Sequence, residues 1–403
     1  MKTKTNVLVT DGNSRASLAI TRSLGAYGYN IFVGDKNELS LASSSKYCHQ
    51  AIKYPDPVLY PEEFLEKLAS IVNTYDIDLL IPVTDVCVIP ISESVIVSNL
   101  SCKIPIPNKD TLHLAANKNE LVRFASELGV NVPDSQTIES FDDLESLKIS
   151  ISYPVVIKPS RSRVLVDGKW KFTSVDYADN KKALLSKLKN IHSKTYPVMI
   201  QERILGPGIG AFYCYEHGKC ITKFSHRRIR EKPPSGGVSV LRESIGIDPI
   251  VDEHSQILLD RLKWHGVAMV EYKYDEKRNI PYLMEINGRF WGSLQLAIDS
   301  GVDFPKHLAD ISSGKQKPIN EEYKIGVKTR WLWGDIDLLL MLLFKSKHQL
   351  HLASGSKSRW RIIIDILIPF GRNLHYEVLR ISDIKPWLFE SKMWLKEVFS
   401  TKN

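Results

Sequence analysis

The segment VAMVEYKYDEKRNIPYLMEINGRF, residues 267–290, carries the side chains best placed to do chemistry. Two strand-like runs flank a polar turn centred near position 278. Antiparallel pairing about that centre sets Glu271 opposite Glu285, with Cβ atoms ~5 Å apart. Like charges so placed repel and destabilise the hairpin unless a cation sits between them. Carboxylate oxygens at that spacing suit Mg²⁺, which takes one or two carboxylates together with phosphate oxygens. Asn287 lies two residues beyond Glu285 and shares its face, so its amide can add a neutral oxygen ligand or donate to phosphate. Arg289 follows if the extended conformation continues. The plain alternative is an exposed hairpin with two solvated glutamates.

Other cationic residues could serve the same chemistry. In PVVIKPS (154–160), Lys158 stands at a strand end before Pro159, a fixed point charge for a phosphate. FSHRRIREKPPSGGVSVLRES (224–244) reads as a loop carrying Arg227, Arg228, Arg230, Lys232 and Arg242. Its Gly236 and Gly237 allow close backbone approach, and arginine binds carboxylate or phosphate bidentately. His226 is either a general base or a structural histidine.

The hairpin, with its E-I-N-G-R run, resembles the ATP-grasp superfamily, and in particular its carbamoyl-phosphate-synthase-large-subunit-like carboxylate–amine ligases, over about residues 1–315. The resemblance implies an α/β and α+β chain. A Rossmann-like pre-ATP-grasp domain (1–108) would precede a two-subdomain ATP-grasp clamp (109–316, divided near 200) and a mainly helical C-terminal extension (317–403). It implies ATP and one or two Mg²⁺, with Mn²⁺ able to substitute, held by Glu271, Glu285 and Asn287. Lys158 matches the phosphate-contacting lysine, and Lys118, in AANKNELVRFA, the earlier cation that reaches the nucleotide. PVMIQERILGPG (197–208) is similar to the interdomain hinge. Gln201, Glu202 and the backbone near Leu205 would meet the adenine edge there, with Ile200 and Leu205 giving apolar contact. Arg289 and Arg242 would be catalytic, facing the transferring group, with Arg242 on the acylphosphate or substrate carboxylate. Asn287 would also touch the nucleotide phosphates.

Two departures stand out. The place of the family's ribose-binding acid falls near Ile209, within GPGIG. The glycine-rich flap after Lys158 is replaced by SRSRVLVDGKW, where Gly168 is the lone glycine and serines with Arg161 or Arg163 would cover the phosphates. The implied activity is ligation. ATP's γ-phosphoryl group activates a carboxylate as an acylphosphate, an amine or thiol displaces phosphate, and no enzyme nucleophile is needed. The alternatives are an ATP-grasp phosphotransferase for another acceptor, or a nucleotide-binding regulatory protein with a decayed site.

The elements that must position these residues are legible in outline. NVLVT (6–10), NIFVGD (30–35) and IDLLIPVTD (77–85) read as strands, with helices at ASLAITRSLGAYG and at 61–75 between them, hence a parallel βαβ sheet. Residues 11–15 do not form GxGxxG, so a dinucleotide site is weakly supported there. One helix is expected over 112–129. CKIPIPNKD (102–110) and SSGKQKP (312–318) mark boundaries.

Composition bounds the rest. The 403 residues are 43% hydrophobic and 25% charged, with a formal net charge of +8, a globular mixture rather than a disordered one. Five scattered cysteines form no CxxC pair and no zinc pattern, which favours free thiols in a reducing cytosol. No secretory leader or spanning helix is evident, so a cytoplasmic protein is expected; the resemblance implies small-molecule carboxylate and amine partners, and the localised charge argues against nucleic acid. Between 341 and 380 stand seven Lys/Arg (Lys345, Lys347, Lys357, Arg359, Arg361, Arg372, Arg380) against Asp365 and Glu377, among Trp and Leu. That extension is a cap on the core, a homodimer interface, or a helix lying on an anionic membrane surface at the inner face.

Overall fold

Short apolar runs at the start of the chain pair in parallel, as their alternation with helical segments predicts. The computed structural model describes residues 4–144, 149–160, 163–166, 169–173, 175–234, 237–315, 322–346, 350 and 359–400, with backbone alone for 163–166, 169–172 and 194. The first unit comprises β1 (Asn6–Val9), α1 (Arg15–Ala26), β2 (Asn30–Asp35), β3 (Cys48–Lys53), α2 (Pro61–Thr74), β4 (Leu79–Ile81), α3 (Asp85–Glu93) and α4 (Val95–Ser98). Its sheet is parallel in the order β3-β2-β1-β4. Asp11, in the left-handed region at φ 56 just past β1, ties the ends of two strands together. Its carboxylate accepts from the Thr84 backbone N–H (3.0 Å), the Thr84 hydroxyl (2.8 Å) and the Thr10 hydroxyl (2.6 Å).

The helix expected over 112–129 is two helices, α5 (Lys109–Ala116) and α6 (Lys118–Glu127). Asn117 between them is extended, and its side chain accepts from the backbone N–H groups of Asn119 and Glu120. A side-chain acceptor at that position starts a new helix rather than continuing the old one. Lys118 is thereby placed at the first turn of α6, its N–H donating to the Ser160 carbonyl at 3.2 Å.

A small sheet follows, from β5 (Ser135–Ile138), β6 (Val155–Pro159), β9 (Asp176–Ala178) and β10 (Val198–Glu202), in the antiparallel order β5-β10-β6-β9. Between β6 and β9 lies the hairpin of β7 (Arg163–Val166) and β8 (Lys169–Phe172). Helix α7 (Lys181–Lys189) covers one face of the small sheet. There Val155, Ile157, Leu184, Leu188, Val198 and Ile200 form a core.

The largest sheet joins β11 (Gly208–Glu216), β12 (Lys219–Lys232), β13 (Val238–Ser244), β14 (Gly266–Asp275), β15 (Ile280–Asn287), β16 (Lys328–Arg330) and β17 (Leu374–Tyr376). Their order is β15-β14-β11-β12-β13-β16-β17. The stretch 224–244, expected as a loop, is the β12–β13 hairpin, while its Gly236 lies outside the described residues. Period-two alternation gives the sheet two buried faces. On one, Phe212, Phe224, Val267 and Met269 share a core with α9 (Leu294–Ser300), α10 (Phe304–Ser312) and the first unit's Val7, Val9, Ile20 and Leu24. On the other, Tyr213, Tyr215, Val270 and Tyr272 pack on Leu121, Ala125 and Trp264, with Leu258 and Leu259 of α8 (Pro249–Arg261).

The C-terminal segment carries α11 (Leu332–Phe344), α12 (Arg359–Leu367) and α13 (Lys385–Ser400) besides β16 and β17. It is mainly helical as expected, and its two strands extend the large sheet. Ion pairs fasten it. Asp335, fully buried, meets Arg230 and sits 2.6 Å from the Arg330 guanidinium. Asp337 pairs with Lys232, Glu377 with Arg242, and Asp383 with Arg22 at 2.8 Å. Among the described residues no helix is long and apolar enough to cross a membrane.

Removing one partner of a buried ion cluster leaves uncompensated charge. Asp335→Ala strands two buried guanidiniums and is expected to cost about 3–5 kcal/mol. Urea unfolding checks it, and a midpoint within error of wild type contradicts it.

Candidate active site

The hairpin of β14 and β15 brings Glu271 and Glu285 into direct register, with Val270 opposite Ile286 and Met269 opposite Asn287. A bulge produces this register. From the turn, Asp275 pairs with Ile280 and Tyr272 with Leu283, and the next pair skips Met284. Without that extra residue Glu271 would face a methionine, since a one-residue slip moves every later side chain. The sequence reading placed the centre of symmetry half a residue off the turn, and the bulge makes up the difference.

Cations surround the pair. Arg228, on β12, donates to Glu271 Oε2 at 2.5 Å and to Glu231 Oε1 at 3.0 Å. It is two strands from Glu271, because β11 lies between β12 and β14. Its side chain runs over the glycine-bearing start of β11. Arg228 Cδ is 3.5 Å from where a Cβ on Gly208 would stand, and a Cβ on Gly210 would meet Phe212 at 2.6 Å. On the far side of Glu285, Asn287 Nδ2 donates to Glu285 Oε1 at 3.0 Å, and Arg289 Nη2 donates to Asn287 Oδ1 at 3.0 Å. Arg289 Nε also donates to Asp85 Oδ2 at 3.0 Å. Asp85 follows Thr84, so the Asp11 lock at the strand ends of the first unit holds this arginine's anchor in place.

The two carboxyls are not equivalent. Burial pushes Glu271 up, Arg228 opposes that, and Glu285 adds to it. Burial pushes Glu285 up too, but the Asn287 hydrogen bond and the charges of Lys118, Arg289 and Lys158 outweigh it and hold that group below its ordinary value. Arg228 is raised, chiefly by Glu271.

Lys158 enters from β6. Its Nζ donates to Gln201 Oε1 at 2.6 Å and lies 3.9 Å from the sulfur of Met284, the bulged residue. Gln201 Nε2 in turn donates to Ser135 Oγ at 2.9 Å. Burial lowers the Lys158 ammonium to about 8, against the pull of Glu285. In the link from β10 to β11, Glu202 pairs with Arg278 at 2.9 Å, and Leu205 is 55% exposed. Ile200 faces the small sheet's core and not the cleft, so it cannot contact a ring there. Met199, paired with Lys158 in register, Val156 and Met284 are apolar side chains on the Lys158 side. Gly206 is required in the β10–β11 link: its φ is 150, and a Cβ would sit 1.8 Å from the Tyr274 carbonyl oxygen.

Thus Lys118, Lys158, Gln201, Glu271, Glu285, Asn287 and Arg289 converge, joined by Arg228 and Met284, which composition alone did not single out. Arg242 does not join them. It is Arg228's cross-strand partner, one strand further away, fully buried and paired with Glu377. His226 packs edge-on to Phe212 at 4.7 Å, and burial lowers its imidazole well below the ordinary value. Arg161 and Gly168, and the side chain of Arg163, lie outside the described residues.

No cluster of three or more His, Cys, Asp or Glu able to hold a metal occurs among the described residues. The donor set is smaller: two register-paired carboxylates and one amide. That set fits Mg²⁺, which leaves most of its positions to water and phosphate, and does not fit a structural Zn²⁺ site.

A parallel α/β unit, a small antiparallel sheet and a large one enclosing this hairpin constitute the ATP-grasp fold. Residues 197–333 match the family model described as ATP-grasp in the biosynthetic pathway with Ter operon. Solved structures agree in fold. An L-amino acid ligase from Bacillus licheniformis is similar with a TM-score of 0.58 and 14% identity, over 78% of this chain and 77% of that one. N5-carboxyaminoimidazole synthetase from Staphylococcus aureus, complexed with ADP, gives 0.61 and 15%, over 81% and 82%. The biotin carboxylase domain of 2-oxoglutarate carboxylase from Hydrogenobacter thermophilus, with MgADP and bicarbonate, gives 0.61 and 13%, over 80% and 73%. No curated protein sequence shows significant similarity to the chain.

A phosphate brought to Lys158 favours its charged form and raises its pKa. ATP binding is therefore expected to take up protons at and above pH about 8, where the free lysine is partly neutral, and none below pH about 7. Calorimetry in buffers of different protonation enthalpy measures this. Lys158→Met should abolish the uptake, and identical uptake in that variant contradicts the placement.

Proposed function

We propose that this protein is an ATP-dependent ligase that activates a carboxylate as an acylphosphate and passes the acyl group to an amine or thiol. The observation that carries the reading is the register pairing of Glu271 with Glu285 inside a ring of cations. Two half-buried carboxylates in cross-strand register are costly to keep ionised, and a site that keeps them suits a counter-charge that comes and goes. Mg-nucleotide has that character. The Staphylococcus aureus and Hydrogenobacter thermophilus proteins named above hold ADP or MgADP on the same fold, which supports the nucleotide assignment.

In this reading a carboxylate oxygen of the substrate attacks the γ-phosphorus, and the bond to the β,γ-bridging oxygen breaks, releasing ADP. The amine nitrogen then attacks the acyl carbon, the C–O bond to phosphate breaks, and the amine's proton leaves to phosphate or solvent. Phosphoryl transfer of this kind requires positioning and charge neutralisation rather than a protein nucleophile. Glu271, Glu285 and Asn287 would hold the divalent ion, which when bound neutralises the β- and γ-phosphates. Lys158 and Lys118 would contact phosphate oxygens, and Gln201, Glu202 and Leu205 would line the purine end. Arg289 and Arg228 would face the transferring group. Arg242, bound to Glu377 one strand further out, would act as a buttress beneath Arg228. The domain limits carried by this reading are 1–108, 109–316 and 317–403, and the second boundary falls outside the described residues.

Glu285→Gln keeps the side chain's shape and removes its charge. It is expected to lower amine-dependent ADP release by about 100-fold or more, with an unchanged thermal midpoint. A pool of carboxylates and amines, read by product mass, supplies the assay. Unaltered turnover in the variant removes the assignment.

A further inference from the structure

The outer side of the α11–α12 pair sorts its residues by charge and polarity in a way the ligase site does not use. Helix α12 turns Ile363 and Ile366 inward, onto Leu338, Leu342 and Val240. A second stripe, at i, i+4 and i+7 and about a quarter-turn round the helix, is also apolar and open to solvent: Trp360 is 69% exposed, Ile364 59% and Leu367 64%. The chain continues with exposed Ile368 and Phe370. Arg330, just before α11, donates to the carbonyls of Ile366 (2.5 Å) and Ile368 (3.0 Å). That tie sets the end of α12 beside the start of α11, so the helices run antiparallel. Leu343 and Phe344, exposed at the end of α11, therefore lie toward the Trp360 end of α12.

The charges are sorted by side. Asp335, Asp337 and Glu377 all turn inward, to Arg230 and Arg330, to Lys232, and to Arg242. Lys345 and Arg372 remain exposed, and Asp365 of α12 is half-buried. Exposed aromatic and aliphatic side chains next to exposed lysine and arginine match an anionic lipid surface, where the apolar groups enter the acyl boundary and the cations meet headgroups.

We propose that this face docks on an anionic phospholipid bilayer, holding the protein at a membrane surface without spanning it. This inference is independent of the ligase reading. The test sediments the full chain with vesicles of phosphatidylcholine alone and of phosphatidylcholine with phosphatidylglycerol. The chain should pellet with the mixed vesicles and stay in solution with the neutral ones. High salt should weaken the binding, as it screens exposed charge. The triple variant Phe344→Ser, Trp360→Ser, Phe370→Ser changes exposed positions only, and should keep its thermal midpoint while vesicle binding falls about tenfold or more. Equal supernatant recovery with both lipids overturns the proposal, as does binding indifferent to the triple variant. A dimer that the same variant dissolves, with no vesicle binding, would make the face an interface between copies and overturn it too.

Discussion

Two half-buried carboxylates held side by side across a ribbon cannot both stay ionised without compensation. The arrangement of the protein around Glu271 and Glu285 follows from that constraint. Each neighbouring element contributes one cation: β12 gives Arg228, β6 gives Lys158, the start of α6 gives Lys118, and the chain leaving β15 gives Arg289. The supporting details have the same purpose. Asn117 breaks a helix so that Lys118 sits at a helix start, and Asp11 fixes the strand ends that present Asp85 to Arg289.

The same electrostatics explains the C-terminal segment. The basic run on β12 and β13 looks in the sequence like one binding surface. In the fold its charges divide. Arg228 alone reaches the glutamate pair, while Arg230, Lys232 and Arg242 are neutralised by Asp335, Asp337 and Glu377 from the extension. The extension is therefore part of the large sheet's support and not an appendage, and its inward acids leave its outward face basic.

Much of this was legible from the residues. The parallel unit followed from strand–helix alternation, and β2 runs over the expected residues, Asn30–Asp35. The Glu271–Glu285 contact followed from the symmetry of a hairpin. What escaped has local causes. Strand β3 is an edge with Ile52 as its one buried residue, so it lacks the apolar alternation that marks a strand. Residues 224–244 look like a loop because their side chains are charged, yet those charges are paired across strands and layers, which no local window reveals. Arg228 could not be told from Arg227 or Arg242 without the strand order and register that aim it at Glu271. Ile200 was assigned to the wrong face of β10, where the inward side belongs to the small sheet's own core.

The central claim is that the glutamate pair exists for a divalent ion on a nucleotide's phosphates. It is tested most directly by the Mg²⁺ dependence of ATP affinity, measured calorimetrically in the wild-type chain and in the Glu271→Gln, Glu285→Gln double variant. The account predicts that Mg²⁺ tightens ATP binding to the wild type, and that in the double variant this gain disappears while metal-free binding is equal or stronger, because repulsion has been removed. A Mg²⁺ effect of the same size in both proteins would contradict it.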